Sequence, residues 1–378
     1  MKTRIGAAAI GLMLVVAVGG AEKSAAAAAK GPATPMHVGV TTRVFHPTNL
    51  ERNWRGDAEK GLRCVVWYPA VDSAVEVKQT VGPKDDPLFE AGMAAPDAGL
   101  AEPREKHGWP MVLLSHGTGG SALQMAWLGT ALARAGFIAV AVDHPGKNAE
   151  GKLTPEALLL WWERATDLSQ MLDGMLADPE FGKKIDPEKI GAAGYGLGGY
   201  AVLELAGAQT DVHDYFDLCK ENADAAVCHM PEMRSMGTPL DVLHAVRKTS
   251  AVSLAESDGL FSDDRIGAVF AMAPEMAFTL TQDSLRGIRL PLEMVVGDSD
   301  NLAPSKENAG YVRSEVHGAK LTALPHVGHY AFFDTCAAEG KKTQERYCED
   351  GKDVDREAVH ARVEGIAVGF FSKALKVK

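Results

Sequence analysis

The chain has no excess of basic residues, no cysteines at C-x-x-C spacing, and no apolar run long enough for a comfortable membrane span. Each absence removes a class of function. Lys and Arg total 39 against 50 Asp and Glu, a net charge of -11. That argues against nonspecific nucleic-acid binding, which needs a basic footprint. Without C-x-x-C, neither a dithiol redox centre nor a zinc site is indicated. The early apolar stretch "IGAAAIGLMLVVAV" falls short of the roughly 20 residues that a spanning helix needs. It follows Lys2 and Arg4 and ends near small residues at Gly19–Ala21, the form of an export signal. No cysteine lies close enough for a lipoprotein anchor. The expectation is a signal peptide over 1–21, a flexible lead over 22–36 and a folded domain over 37–378. The destination is the periplasm or the outside, with no stable membrane span after cleavage.

Export gives the five cysteines meaning. Cys219 and Cys228 are close in sequence, as are Cys336 and Cys348, and both spacings fit short disulfide loops. Cys64, within "LRCVVWYPA", reads as a buried free thiol.

No internal repeat is present. Strand and helix patterns alternate, which predicts a mostly parallel sheet flanked by helices. "LRCVVWYPA", "PMVLLSHG", "FIAVAVDHPG", "KIGAAGYG", "IGAVFAMAP", "PLEMVVGDSD" and "AKLTALPHVGH" read as strands. Long helices are expected over 155–178, where Trp161, Leu168, Leu172 and Met175 share a face, and in the final "DREAVHARVEGIAVGFFSKAL". The polar stretch 208–262 breaks the rhythm and reads as a cap insertion.

The most informative turn is Gly194-Tyr195-Gly196-Leu197-Gly198-Gly199, between a strand and a helix. It satisfies G-x-G-x-x-G, but a dinucleotide site also needs an acid at the end of the next strand, about 20 residues on. Asp211 and Asp214 lie in a polar stretch with no convincing strand before them. The alternative is the G-x-S-x-G nucleophile elbow with glycine in the serine's place. That motif demands an acid and then a histidine later in the chain, each after a strand. "GDSDNLAP" supplies Asp298 and Asp300, and "LPHVGHYAFFD" supplies His326 and His329. A glycine-rich loop for an oxyanion is present as "LLSHGTGGS".

These motifs, with "VVWYPA", "AVDHPG", "GHYAFFDTC" and "CEDGKDVDREAVH", resemble an exported α/β-hydrolase of the dienelactone-hydrolase type, related to platelet-activating-factor acetylhydrolases. The resemblance covers nearly all of the chain after the signal. It implies an α/β-hydrolase fold with a cap. Gly196 matches the nucleophile position, Asp300 the triad acid and His329 the triad base, with Asp298 as the alternate acid. The amides of Thr118 and Leu197 match the oxyanion hole.

The departure is Gly196, which has no side chain to attack with. Glycine adopts the strained elbow angle without the penalty serine would carry. Tyr195 should point away from the elbow, and neither Ser115 nor Ser121 is expected at the attack position. His116, His144 and His360 read as structural, and Trp161 and Trp162 as packing. The H-x-x-H at His326 and His329 lacks a third ligand, so no metal is expected, and no cofactor. The expected function is an ester-hydrolase relative unable to form an acyl-enzyme, with a pocket for an ester- or lipid-like small molecule. Two alternatives stand beside it: chemistry without serine, such as water activated by His329 and Asp300, and a Ser-to-Gly change in a working serine esterase.

Overall fold

The computed structural model describes residues 35–46, 61–146, 153–222, 224–230 and 233–377. The proposed signal peptide and most of the lead lie outside the described residues. Among the described residues eleven strands form one sheet: β1 (His37–Phe45), β2 (Leu62–Ala70), β3 (Val77–Val81), β4 (Phe89–Pro96), β5 (Trp109–Ser115), β6 (Ile138–Val142), β7 (Ile185–Tyr195), β8 (Ile266–Met272), β9 (Leu292–Gly297), β10 (Lys320–Leu324) and β11 (Thr335–Cys336). The order is β10-β9-β8-β7-β5-β6-β2-β1-β4-β11, with β3 on β4. From β10 through β6 every pairing is parallel. The central strands "WPMVLLS" and "IAVAV" are buried at every residue, as a parallel sheet covered on both faces requires.

Helices supply both covers. Leu168, Met171 and Leu172 of helix Glu163–Ala177 join Tyr200, Val202 and Leu203 of helix Leu197–Leu205 on one face. Leu128 and Leu132 of helix Ala126–Arg134 join Val363, Ala367 and Phe371 of helix Arg356–Ala374 on the other.

The helix expected over 155–178 is two helices, Pro155–Leu159 and Glu163–Ala177. Leu160 leaves helical geometry at ψ 63°. The break turns both following indoles into the core: Trp161 N–H donates to the Leu158 carbonyl, and Trp162 N–H to Ser253 Oγ at 3.0 Å. Periodicity alone does not register that interruption, because the apolar positions on either side stay in phase.

Within 208–262 lie helices Val212–Glu221, Pro239–Thr249 and Ala251–Ala255. A capping box between Thr238 and Asp241 starts the second of them. Tyr215 packs edge-on against Trp161 at 5.0 Å, fastening the segment to the core. Cys219 is bonded to Cys228 and Cys336 to Cys348, while Cys64 is a buried free thiol. Among the described residues no helix is long and apolar enough to cross a membrane.

Candidate active site

β7 ends at Tyr195, and the helix that follows begins at Leu197, so Gly196 is the whole turn. Its backbone stands at φ 57°, ψ -122°, where a side chain costs ~1–3 kcal/mol. The neighbouring glycines serve close packing instead. A Cβ on Gly194 would lie 2.0 Å from the Gly198 carbonyl oxygen, and one on Gly198 would lie 2.0 Å from the Ser115 carbonyl oxygen. The glycine pattern thus serves helix-on-strand contact at a sharp elbow.

Asp300 and His329 are brought to this elbow from the ends of β9 and β10. Asp300 Oδ2 is 2.7 Å from His329 Nδ1, while its Oδ1 accepts from the Leu302 and Ala303 amides. Asp298, the alternate acid, is turned elsewhere: its Oδ1 accepts from the His326 amide, which stabilises the turn at that left-handed residue. Tyr195 does not point away from the site as expected. Its hydroxyl donates to the His329 carbonyl at 3.2 Å, and its ring lies 5.0 Å from the imidazole. The ring is buried, and it packs against the imidazole and Phe332 rather than turning away.

A residue that sequence reasoning did not single out completes the arrangement. Glu275 Oε1 is 2.9 Å from His329 Nε2, and Glu275 Oε2 accepts from Thr118 Oγ1 at 3.0 Å. A Cβ built on Gly196 would be 3.0 Å from Glu275 Oε1. The carboxylate therefore occupies the space beside the imidazole that a nucleophilic hydroxyl on residue 196 would enter. The backbone positions it: Gly196 N–H donates to the Met272 carbonyl at 2.9 Å, and Glu275 N–H donates to the Gly196 carbonyl at 3.1 Å. The turn carrying Glu275 has two left-handed non-glycine residues, Ala273 at φ 41° and Met276 at φ 58°. The one available sequence signal was an acid just past the end of a buried strand, on the edge where the elbow lies.

The electrostatics follow from this sandwich. Burial alone would lower the His329 pKa, but the charges and hydrogen bonds of Asp300 and Glu275 outweigh it and raise the value to about 10. Burial pushes Asp300 up, yet the His329 charge and three hydrogen bonds hold it below its ordinary value. His329 therefore lies between two acidic side chains, Asp300 at Nδ1 and Glu275 at Nε2.

Two spaces adjoin it. A chamber of about 10 Å³, roughly one water, is bounded by Thr118, Glu275, His329 and Leu302 among others. Beside it lies a cavity of about 480 Å³ between the inserted helices and the sheet edge, lined by Val227, Met230, Glu275, Phe278 and Leu302. Glu275, Met230 and Leu302 border both. A further cavity of about 500 Å³ runs along Gly119, Gly120 and Ser121 toward Tyr347.

The loop Gly117–Gly120 is held by Gln124, whose Oε1 accepts the Gly117 amide at 3.0 Å. Leu197 opens its helix, so its N–H has no intrahelical acceptor and faces outward from the helix N-terminus. Ser115 is engaged elsewhere: Ser115 Oγ lies 2.8 Å from His144 Nε2, and His144 Nδ1 lies 2.8 Å from Asp167 Oδ2, all buried. None of the three cavities just described is lined by these residues. His116 bonds the His144 amide, and His360 stacks on Trp127 and bonds the Ala331 carbonyl, bracing the segment after His329. Among the described residues no cluster of His, Cys, Asp and Glu could hold a metal ion.

Residues 97–272 match the dienelactone hydrolase family. Over 112 residues the chain is 30% identical to the Thermobifida alba protein "Cutinase est1", covering 29% of this chain and 34% of that one. Over 86 residues it is 33% identical to "Lipase 1" of Moraxella sp. (strain TA144), covering 23% of this chain and 24% of the lipase. The chain thus spans about a quarter to a third of the length of these curated relatives. A solved ferulic acid esterase from Streptomyces cinnamoneus superposes with a TM-score of 0.59 at 19% identity, covering 93% of each chain. With the mostly parallel, helix-flanked sheet, these matches give the chain the α/β-hydrolase fold and, over residues 97–272, a similarity to the dienelactone hydrolase family.

Proposed function

We propose that this chain is a relative of carboxylic-ester hydrolases that does not work through a serine acyl-enzyme and that keeps its pocket for an ester- or lipid-like small molecule. One observation carries the reading: the seat beside His329 Nε2 holds the Glu275 carboxylate, and the elbow residue is Gly196. Losing the nucleophile from such a unit costs on the order of a millionfold. The cavity of about 480 Å³ has the size and mostly apolar lining of a small-ligand site. Export, to the periplasm or outside, fits two disulfides in one chain.

The same observation weighs on the alternatives. A histidine that keeps its proton up to about pH 10 is a poor base toward water. A simple Ser-to-Gly change in a working esterase also fits poorly, because a serine Cβ would sit 3.0 Å from Glu275 Oε1 and its hydroxyl would compete with the carboxylate for His329. The test uses a fluorophosphonate, which phosphonylates activated serines, and the methyl ketone isosteric with hexyl acetate. Intact-mass measurement is expected to find no phosphonyl adduct, and the ketone is expected to raise the thermal midpoint. An adduct on any serine ends the serine-free reading, and a ketone without effect ends the ester-pocket reading.

A further inference from the structure

We infer that Glu275 and His329 act as a general base and general acid that add water directly to an ester held over Gly196. The inference rests on the reading of this site as an ester pocket. Four observations support it together.

First, the carboxylate is aimed. Its two oxygens are fixed by different partners, His329 Nε2 at 2.9 Å and Thr118 Oγ1 at 3.0 Å. Second, it is reachable: Glu275 borders both the water-sized chamber and the larger apolar cavity, so a ligand in the cavity meets it. Third, with no side chain on Gly196 the carboxylate comes up against the elbow itself, where a Cβ would lie 3.0 Å from Glu275 Oε1. Fourth, the turn that delivers Glu275 keeps Ala273 and Met276 in the left-handed region, at ~1–3 kcal/mol each. A purely structural ion pair has no need of that backbone strain, and strain of this kind collects at working sites.

The protons also start in the right places. The carboxylate can accept one, and the imidazolium, its pKa raised to about 10, can donate one. A water in the chamber gives a proton to Glu275 Oε1 as its oxygen bonds to the acyl carbon. The carbonyl electron pair moves onto oxygen, facing the amides of Thr118 and Leu197. The adduct then re-forms its carbonyl, breaking the bond between acyl carbon and alcohol oxygen. The departing alkoxide takes the Nε2 proton of His329. The neutral imidazole recovers a proton from the Glu275 carboxyl across their 2.9 Å contact, and the carboxylic acid product ionises into solvent. Nothing is oxidised or reduced, and no enzyme-bound ester forms.

The experiment is a series of acetate esters whose leaving groups run from p-nitrophenol to hexanol. It uses the full protein, Glu275→Gln and His329→Gln, with each fold checked by circular dichroism. Single turnovers in ¹⁸O water are followed by mass spectrometry of the Glu275 peptide. The native chain is expected to hydrolyse both ends of the series with shallow dependence on leaving-group basicity. Glu275→Gln should lose about 10²–10⁴-fold throughout. His329→Gln should spare p-nitrophenyl acetate, whose leaving group needs no proton, and lose about 10²-fold or more on hexyl acetate. A merely structural role for either residue gives no such dependence on leaving group. ¹⁸O in Glu275 overturns the inference in favour of a carboxylate nucleophile. Equal losses on every ester in His329→Gln overturn the acid role, and undiminished rates in Glu275→Gln overturn the base role. Where the ketone binds and the native chain hydrolyses nothing above solvent, the inference falls and the ester-pocket reading stands. Where the ketone does not bind, both fall.

Discussion

Two histidines in this chain are each held between an acid and a second oxygen, and they differ in what surrounds them. His144 lies 2.8 Å from Asp167 and 2.8 Å from the Ser115 hydroxyl. His329 lies 2.7 Å from Asp300 and 2.9 Å from the Glu275 carboxylate. By distances alone, the first is the better copy of a serine hydrolase triad. Yet Ser115 and His144 are wholly buried at the C-terminal ends of two neighbouring central strands, β5 and β6, and border none of the cavities above. The second array has a carboxylate where the first has a hydroxyl, and it has an opening. Hydrogen-bond geometry does not identify a reacting centre; access to substrate and the charge on the group opposite the imidazole do. At the buried array the partner is a neutral hydroxyl, and at the open one it is an acid that adds to the larger effect of Asp300 in raising the histidine's pKa.

The strongest way to break this comparison is to give the open array the hydroxyl of the buried one. Gly196→Ser alone is expected to gain little, since the new side chain meets Glu275 Oε1. Gly196→Ser with Glu275→Ala removes the obstruction and one of the two anions that keep His329 protonated. It is expected to show a burst of p-nitrophenol from p-nitrophenyl acetate, with acylation at least ~10³-fold faster than in Gly196→Ser, and to lose it with His329→Ala. Stopped-flow absorbance reads the burst. Equal bursts from the single and double variants contradict the claim that Glu275 occupies the hydroxyl's seat.

The converse change sharpens it. Asp167→Ala strips a partner from the buried His144 and should cost about 3 kcal/mol in urea unfolding, within the range for a broken buried hydrogen-bonded pair. Rates per folded molecule on every ester should stay as in the native chain. A selective loss on some esters would mean that Ser115 or His144 reaches substrate after all.

The contrast also explains what could be read from the sequence. The elbow is legible because its demands are local: a strand, a turn that only glycine or a strained residue can make, and a helix, all within "IGAAGYGLGGYAVLEL". Asp300 is legible because it follows a buried strand, and His329 because it follows the next strand, in the order such a site requires. Glu275 was not, because its neighbours are tertiary: Thr118 lies 157 positions away, and only the pairing of β7 with β8 carries the acid to the elbow. "AMAPEM" on its own reads as a strand running into a loop. The Ser115–His144–Asp167 chain is hidden for the same reason, since three unremarkable positions meet only when β5, β6 and the helix Glu163–Ala177 pack.

The smallest effect is the most diagnostic of charge. His329 has a folded pKa of about 10 against an ordinary 6.5, so it favours the folded state fully below about pH 6.5, and that contribution is lost as pH rises through about 10. Glu204 adds a second loss at lower pH. Burial raises its pKa from 4.5 to about 8, against hydrogen bonds from Thr210 and Tyr200, so its contribution is present below about pH 4.5 and gone above about 8. A stability curve therefore mixes the two, and the imidazole must be watched directly, by NMR titration of the His329 ring. In Glu275→Gln the amide keeps the size of the carboxylate and removes its charge, while Asp300 remains. The His329 titration is then expected to move down from about 10, while the Glu204 loss between about pH 4.5 and 8 stays in place. Glu204→Gln should do the reverse, abolishing the earlier loss and leaving the histidine unmoved. An unchanged His329 titration in Glu275→Gln means that the second anion is not felt at the ring, and the charge difference between the two arrays disappears with it.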